Sequence, residues 1–229
     1  MPLDPHLPLA RLHLTVRAEA PLQLPPYAGS MLRGAFGHAL QALALLPHTS
    51  GQPCAVQGNC PYCQIFSAPA LPAHSLQKFS QMPAPYVIEP PTPGLGQPWQ
   101  VQPLRAGQTF VFGLVLAGRA LQHLPTVVLA FERALQRGLG SRNTACTLLS
   151  VQQEGAPEPL WQAAQHRQAS ACELLNTTLP AAAALGTQAS VQLHLHTPLR
   201  LQYQNQPARQ HTLNAGALLM ALARRYQLL

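Results

Sequence analysis

Apolar and polar residues alternate over residues 9–18, LARLHLTVRA, and this period of two predicts a strand with one buried face. A proline-rich turn follows. Apolar residues then dominate residues 29–46, which predicts a helix that Pro47 ends. This helix contains Gly34 and Gly37, and a glycine inside a helix costs about 1 kcal/mol relative to alanine. We therefore expect the two glycines to allow a close approach between the helix and the sheet.

Four further elements are predicted in the first half of the chain. PYVIEPP, residues 85–91, predicts a short strand, and QTFVFGLVLAG, residues 108–118, predicts a long one. Apolar residues at helical spacing predict a helix over residues 119–140, and a strand follows at residues 144–153. The order strand, helix, strand, strand, helix, strand is that of the split βαββαβ, or ferredoxin-like, unit.

The second half of the chain resembles the start of the first. It contains a predicted helix at about residues 161–175, a strand at residues 190–203 and a helix at residues 212–229. In both halves a strand with Leu-His-Leu leads to an apolar helix, which indicates an internal duplication. The predicted fold class is therefore α+β, with tandem ferredoxin-like units of the RAMP or RRM type, the second one incomplete or reduced.

The predicted domain organisation follows from these elements. Residues 1–155 form the first unit, with a cysteine-containing insert at about residues 47–84. Residues 156–185 form a connector helix and linker, and residues 186–229 begin the second unit.

The chain has few charged residues, and most of them are basic. Charged residues make up 9% of the 229 residues, but 14 are basic and 7 acidic, for a net charge of +7. Lys78 is the single lysine; the other basic residues are arginines, whose planar guanidinium binds phosphate bidentately and stacks on bases. This favours a nucleic acid partner, although GC-rich coding also enriches arginine. With no apolar run of membrane length and no secretory signal, the sequence predicts a cytoplasmic protein.

The five cysteines do not predict disulfides, since their number is odd and the predicted compartment is reducing. Three of them, Cys54, Cys60 and Cys63, lie within ten residues, and His48 precedes them. Four such ligands in one loop-rich segment predict a structural Zn²⁺ site. The alternative is an insert of reduced thiols that has lost its metal.

Six segments, taken in order, carry a resemblance to a known family: LRGAFGHAL, CPYCQIF, APYVIEPP, LAGRA, RGLGSRN and LHLHTPLRL. This succession resembles the CRISPR repeat-RNA-processing endoribonucleases of the RAMP superfamily, most of all the branch with a cysteine-containing insert and the reduced nucleases of type IV systems. The resemblance implies two ferredoxin-like units, a hairpin-bearing CRISPR repeat RNA as substrate, metal-independent cleavage and retention of the product. The second unit of that family is longer than residues 186–229.

Metal-independent RNA cleavage by 2′-OH attack, which leaves a 2′,3′-cyclic phosphate, needs a general base, a general acid and a cation near the phosphorane. His38 and Arg33 are the candidate catalytic residues on the first helix. They lie five positions apart, so they do not share a face of the helix. The alternatives are an arginine that snorkels at a helix edge and a histidine that is simply packed.

The segment RGLGSRN is the main candidate for RNA contact. Glycines at a helix end, flanked by arginines, allow backbone amides and guanidinium groups to approach a phosphate chain. A plain helix C-cap is the alternative. The predicted RNA-binding residues are Arg17, Arg33, Arg137, Gly138, Gly140, Ser141, Arg142, Asn143, Arg167, Arg200, Arg209, Arg224 and Arg225.

The function predicted from these features is an endoribonuclease that matures CRISPR precursor RNA, with other CRISPR ribonucleoprotein subunits as candidate partners. One alternative is a non-catalytic RAMP-type subunit that only holds RNA. Another is a zinc-stabilised RNA-binding module. A nucleotide-using enzyme is disfavoured, because GxxxxGK[ST] and strand-linked GxGxxG motifs are absent from the sequence.

Overall fold

A computed structural model describes residues 7–44, 54, 56, 59–67, 83–91, 103–165, 174, 177–178, 192–193, 201–203, 206–208 and 213–228. Its helices and strands, in chain order, are β1 (Pro8–Ala18), α1 (Gly29–Ala42), α2 (Pro61–Ile65), β2 (Tyr86–Glu89), β3 (Thr109–Ala117), α3 (Leu124–Arg137), β4 (Cys146–Gln153), β5 (Trp161–Gln162), β6 (Thr177–Thr178), β7 (Gln202–Tyr203), β8 (Gln206–Pro207) and α4 (Ala215–Leu228). Two 3₁₀ helices, Gly118–His123 and Ala163–Gln165, precede α3 and follow β5.

The main sheet has the strand order β2-β3-β1-β4-β5, and β6 pairs with the start of β1. β1 is antiparallel to both β3 and β4, and β2 is antiparallel to β3. β1 and β2 are therefore parallel with β3 between them, and β3 and β4 are parallel with β1 between them. Two interlaced split βαβ units result, so the predicted βαββαβ order of the first unit is confirmed, with α2 as an insert between α1 and β2.

The core of this α+β unit lies between the sheet and the helices α1 and α3. The alternation predicted for β1 is confirmed, because Leu12, Leu14 and Val16 are all buried. Phe36 of α1 stacks on Phe131 of α3 with ring centroids 4.5 Å apart. Burial of each such side chain contributes about 1.5–3 kcal/mol, so these positions fix both helices on one face of the sheet.

The opposite face of β1 carries its polar residues, and ion pairs cross the strands there. The Arg11 guanidinium lies 2.9 Å from a carboxylate oxygen of Glu89, at the end of β2, and 3.2 Å from one of Glu154, after β4. Arg17 Nη2 lies 3.0 Å from a carboxylate oxygen of Glu19. Three of the seven acidic residues therefore neutralise arginines on this face.

The structure corrects three predicted helices. The helix predicted to start at Trp161 does not start there, because Trp161 and Gln162 form β5 and pair with Val151 and Ser150 of β4. The helix predicted over residues 119–140 divides into a 3₁₀ helix and α3. Pro125 suits the first turn of an α-helix, but its ring prevents the α-helix from extending to earlier residues. The first helix ends at Ala42 rather than at residue 46.

Residues 186–229 are described only in part. β7 and β8 form a two-stranded hairpin, and α4 confirms the helix predicted near the end of the sequence. Most of the strand predicted at residues 190–203 lies outside the described residues, so the second ferredoxin-like unit and the predicted domain division remain predictions. None of the helices in the described ranges has the length and hydropathy that crossing a membrane requires.

Candidate nucleic-acid interface

An open groove of about 710 Å³ lies where α1 begins, beside β2 and α4. α1 starts at Gly29 without a capping side chain and without an acidic residue in its first turn. The first N–H groups of a helix have no partner within it, and together with the helix dipole they favour an anion. The groove is lined by Tyr27, Gly29, Ser30, Arg33, Ala84, Tyr86, Val87, Ile88, Pro90 and Arg225.

Arg33 places a cation one turn into α1, on the wall of this groove. Its side chain is exposed, and its Cζ lies 4.9 Å from the centroid of the Phe66 ring. A cation above an aromatic face is attracted by the ring quadrupole, so Phe66 supports the guanidinium from below. Arg33 is therefore held in place without a carboxylate partner among the described ion pairs.

Three aromatic rings pack together beside Arg33, and of these Tyr86 also lines the groove. Phe66 stacks near Tyr62 with centroids 5.5 Å apart and near Tyr86 with centroids 6.4 Å apart. Burial raises the pKa of Tyr86, and a hydrogen bond from Arg33 together with the charge of Arg33 opposes that rise.

Arg225 brings α4 to the same groove. Its Nη2 donates to the backbone oxygens of Ala84 at 3.1 Å and of Tyr86 at 3.3 Å. A guanidinium has five N–H donors, so these two bonds leave others for an anion. Two predicted RNA-binding arginines, Arg33 and Arg225, are thus brought together by the fold from positions far apart in the sequence.

Tyr27 is a groove residue that the sequence reasoning missed. It lies in the turn before α1 and its side chain is 52% exposed. An exposed aromatic ring beside two arginines can stack on a nucleobase, and its hydroxyl can exchange a proton. The signal available in the sequence was a lone aromatic residue in a proline-rich turn directly before a glycine-rich helix.

His38 is exposed but is not among the residues that line the groove. It lies about 140° around α1 from Arg33, because each residue of a helix turns the side-chain direction by about 100°. The structure therefore does not bring the two candidate catalytic residues to one pocket. It brings Tyr27 and Arg33 together instead.

The two internal glycines of α1 have different surroundings. A Cβ on Gly37 would collide with the ring of Phe66, whereas no atom of the described residues lies within 4 Å of a Cβ on Gly34. The close-packing role predicted for the glycines is therefore confirmed at Gly37 and wrong at Gly34. The element that approaches Gly37 is the insert that carries Phe66, and not the sheet.

The glycine-rich segment after α3 forms a tight hairpin turn. Leu139 and Thr144 exchange two backbone hydrogen bonds of 2.9 Å, and Asn143 N–H donates to Gly140 O at 3.2 Å. Gly138 has a φ of 106°, and a Cβ there would overlap the backbone of Asn143. Only glycine fits this position, so the segment ends the helix and also presents Ser141 and Arg142, both exposed, at its tip.

The glycine-rich turn lies at the end of β1, whereas the groove runs along β2, where Tyr86 pairs with Leu116 and Leu116 with Ala10 near the start of β1. Ala18, the last residue of β1, pairs with Cys146, the first residue of β4, directly after the glycine-rich turn. A pocket of about 360 Å³ separates the turn from the segment after β1, and its lining includes Leu22, Gln23 and Arg142. That segment continues into Tyr27 and α1. The two surfaces are therefore joined by residues 19–28.

The other predicted RNA-binding residues fall into three groups. Arg17 is paired with Glu19, so its charge is already neutralised. Arg137, at the end of α3, and Arg224, in α4, are exposed. Arg167, Arg200 and Arg209 lie outside the described residues.

The thiols of Cys54, Cys60 and Cys63 converge in the insert, with all three sulfur atoms within 4.8 Å of one another. Cys60 and Cys63 are buried and Cys54 is half-buried. Burial, together with the two neighbouring thiols, raises the pKa of Cys63 to about 12. Such a cluster could hold a metal that prefers sulfur, and His48, the fourth predicted ligand, lies outside the described residues.

Residues 7–173 match the family model AF_1859_N, an N-terminal domain, and this range includes α1, the insert and the glycine-rich turn. The chain belongs to the AF_1859_N family. In this AF_1859_N chain, Arg33, Tyr27 and the cysteine cluster lie within the family domain, whereas Arg225 lies beyond it.

Comparison with solved structures finds seventeen matching chains. One of them belongs to the Csm3–Csm4 subcomplex of the type III-A CRISPR-Cas interference complex. It is 19% identical to the AF_1859_N chain, with a TM-score of 0.37, over 63% of this chain and 77% of the other. No curated protein matches the sequence.

Proposed function

We propose that this protein binds RNA in the groove between the start of α1, β2 and Arg225 of α4. The observation that carries the proposal is the convergence of Arg33, Arg225 and the uncapped start of α1 on one open groove. Backbone N–H groups at a helix start and arginine forks are the two devices with which proteins hold phosphate oxygens. The exposed Tyr27 ring adds a surface on which a base can stack.

An extended polyanion fits this surface better than a small anion. The groove is wide and open, and a second polar surface with Ser141 and Arg142 continues from it across residues 19–28. A net charge of +7 attracts a phosphate chain at long range. A small metabolite, in contrast, is usually held in an enclosed and mostly apolar pocket.

The RNA we propose is the hairpin-bearing repeat of a CRISPR transcript. The support is the order of six sequence segments that resembles RAMP-superfamily processing endoribonucleases. On this proposal the protein cleaves the repeat without metal, leaves a 2′,3′-cyclic phosphate and retains the product. Other subunits of a CRISPR ribonucleoprotein complex would be its partners.

For cleavage, Arg33 would stabilise the charge of the phosphorane, since its guanidinium lies on the wall of the groove that would hold the RNA. Tyr27 is placed to exchange a proton with RNA in the groove. His38 could take part only if the RNA passed along α1 toward its exposed side chain. Cleavage needs no cofactor in this scheme. The thiol cluster of the insert is proposed as a structural zinc site.

A non-cleaving RAMP-type subunit that holds RNA is the second candidate function. The separation of His38 from the groove favours it, because the described residues that line the groove include cations for binding but no histidine. A zinc-stabilised RNA-binding module without a preference for CRISPR repeats has the same surface. The three candidates differ in cleavage and in RNA preference.

The deciding experiment incubates the full-length protein with a labelled CRISPR repeat hairpin after Mg²⁺ has been removed with EDTA. The zinc content of the protein is measured before and after. We expect tight binding and a product that ends in a 2′,3′-cyclic phosphate. Tight binding of the uncut hairpin would favour the non-cleaving subunit. Equal binding of an unrelated hairpin would favour the general RNA-binding module, and no binding would contradict all three.

A further inference from the structure

The three thiols of the cysteine cluster lie close enough together to bind one metal ion. Zn–S bonds of about 2.3 Å in a tetrahedron place the sulfur atoms roughly 3.8 Å apart. The three sulfurs here already lie within 4.8 Å of one another. Three thiols cannot all pair as disulfides, and sulfur ligands select zinc over magnesium or calcium. A water molecule would be the fourth ligand.

Cys63 lies in α2 and Cys60 directly precedes it as the N-cap residue. α2 has five residues and is too short to be stable alone. Isolated helices need about 12–15 residues to persist in water, so α2 depends on contacts from outside itself. Ile65 supplies one such contact because it is fully buried in the core.

Gln64, the residue after Cys63, fastens α2 to the 3₁₀ helix that precedes α3. The backbone oxygen of Gln64 accepts a hydrogen bond of 3.0 Å from Arg119 Nε, and its side-chain oxygen lies 2.6 Å from His123 Nε2. Arg119 and His123 belong to the 3₁₀ helix between β3 and α3. α2 is therefore fixed on one side by these bonds and on the other by the cysteine cluster.

Phe66, three residues after Cys63, links α2 to the RNA-binding groove. Its ring lies where a Cβ of Gly37 would be and stands 4.9 Å from Arg33 Cζ. A continuous path of contacts thus runs from the cluster through Phe66 to Arg33.

We propose that a zinc ion held by Cys54, Cys60 and Cys63 fixes α2 and thereby keeps the Phe66 ring beneath Arg33. Zinc is then a positioning element for RNA binding and takes no part in cleavage. The predicted loss of RNA affinity without zinc rests on the proposed RNA-binding function. The predicted effect of zinc on how well α2 and α1 are ordered does not.

The first test measures metal on the purified full-length protein. We expect one zinc per chain by mass spectrometry. After replacement with Co²⁺ we expect the thiolate-to-metal absorption and strong visible bands of a tetrahedral site.

The cysteine variants test which thiols bind the metal. Cys63→Ser should lose the metal. If that variant fails to fold, Cys54→Ser, at the half-buried position, replaces it and should bind the metal more weakly. Cys146→Ala, at a buried cysteine of β4 outside the cluster, is the matched control and should keep it. Zinc-free protein that cannot be loaded, or full metal in Cys54→Ser and Cys63→Ser, would overturn the proposal.

The second test follows amide hydrogen exchange when zinc is removed with a chelator. We expect faster exchange in residues 60–66 and in the part of α1 that faces Phe66, and unchanged exchange in β1. This measurement needs no RNA. Equal protection of α2 with and without zinc would contradict the positioning role even if the metal binds.

The third test connects the metal to RNA. Phe66→Leu keeps an apolar side chain but loses the aromatic face beneath Arg33. We expect it to retain zinc and to bind the repeat hairpin about two- to five-fold more weakly, the factor that corresponds to an exposed cation–π contact. Removal of zinc from the wild type should weaken binding about ten-fold. This is the factor expected if only about a tenth of the zinc-free molecules keep Phe66 and Arg33 in the arrangement that binds RNA.

The failures of the two proposals are distinguishable. Zinc-dependent exchange in α2 and α1 without any RNA binding would reject the proposed function and leave the positioning role intact. RNA binding that is equal with and without zinc, and unchanged in Phe66→Leu, would reject the positioning role alone.

Discussion

Gly37 is small because the ring of Phe66 occupies the space that a Cβ would need. Gly34, one turn earlier in the same helix, has no such neighbour. The pair shows that two glycines in one helix can be present for different physical reasons. At Gly37 the contact requires glycine, whereas at Gly34 the described structure leaves room for a side chain.

This difference gives a prediction at the scale of single residues. Gly34→Ala should stabilise the protein by about 1 kcal/mol, because alanine has the higher helix propensity. Gly37→Ala gains the same propensity but forces Phe66 out of place, and overpacking of this kind costs about 1–3 kcal/mol. Urea unfolding of both variants measures the difference. Equal stabilisation by the two substitutions would show that Phe66 moves away without cost.

The surroundings of Arg33 likewise depend on a residue from another segment of the chain. The sequence predicted a lone cation on an apolar helix, which needs an anion or a way to water. The structure adds the aromatic ring beneath it. That ring comes from the insert, and no pattern within the helix could have predicted it.

At the scale of elements, the insert is attached to the domain through polar contacts as well as apolar ones. His123, at the end of the 3₁₀ helix, is half-buried and lies against Gln64 of α2. Burial lowers the pKa of His123 below its ordinary value of 6.5. The folded protein therefore favours the neutral imidazole.

A pH dependence follows from this shift. Because the folded pKa is below the unfolded one, the unfolded chain binds more protons under pH 6.5. The stabilisation from neutral His123 is fully present above that pH and is lost as the pH falls through the folded pKa. Urea unfolding at roughly pH 7.5 and roughly pH 5.5 should show a larger loss for the wild type than for His123→Gln. An identical loss in both proteins would contradict the burial effect.

The predicted elements were right where periodicity was strong and wrong where tertiary pairing competed with it. β1, α1, β3 and β4 were recognisable because one face of each is buried. Trp161 and Gln162 were assigned to a helix, but the open edge of β4 pairs with them instead. Such an edge offers backbone hydrogen bonds that a local pattern cannot include.

At the scale of the whole molecule, the excess of arginine predicts a salt-dependent partner. The fold gathers Arg33 and Arg225 into one groove, and residues 19–28 connect this groove to the pocket beside the glycine-rich turn. Arg11 and Arg17 are removed from this set by ion pairs with glutamates. The net charge of +7 is thus distributed unevenly over the molecule.

The corresponding prediction concerns the salt slope of RNA binding. Arg33→Ala should weaken binding about ten-fold or more and reduce the slope of log K against log salt by about 0.7–0.9. Arg133→Ala, at an exposed arginine of α3 that lines neither pocket, is the matched control and should change the slope little. Equal slopes for Arg33→Ala and the wild type would remove Arg33 from the phosphate contacts.

By itself, the sequence determined the six elements of the first unit, the basic character of the protein and the cysteine cluster. These depend on local periodicity, composition and spacing, which a single chain displays directly. The tertiary structure decided which residues meet: Tyr27 and Arg33 with Arg225, Phe66 with Gly37, and His38 apart from the groove. Contacts between distant segments depend on how helices and strands pack in three dimensions, and neither the helical period nor the strand period carries that information.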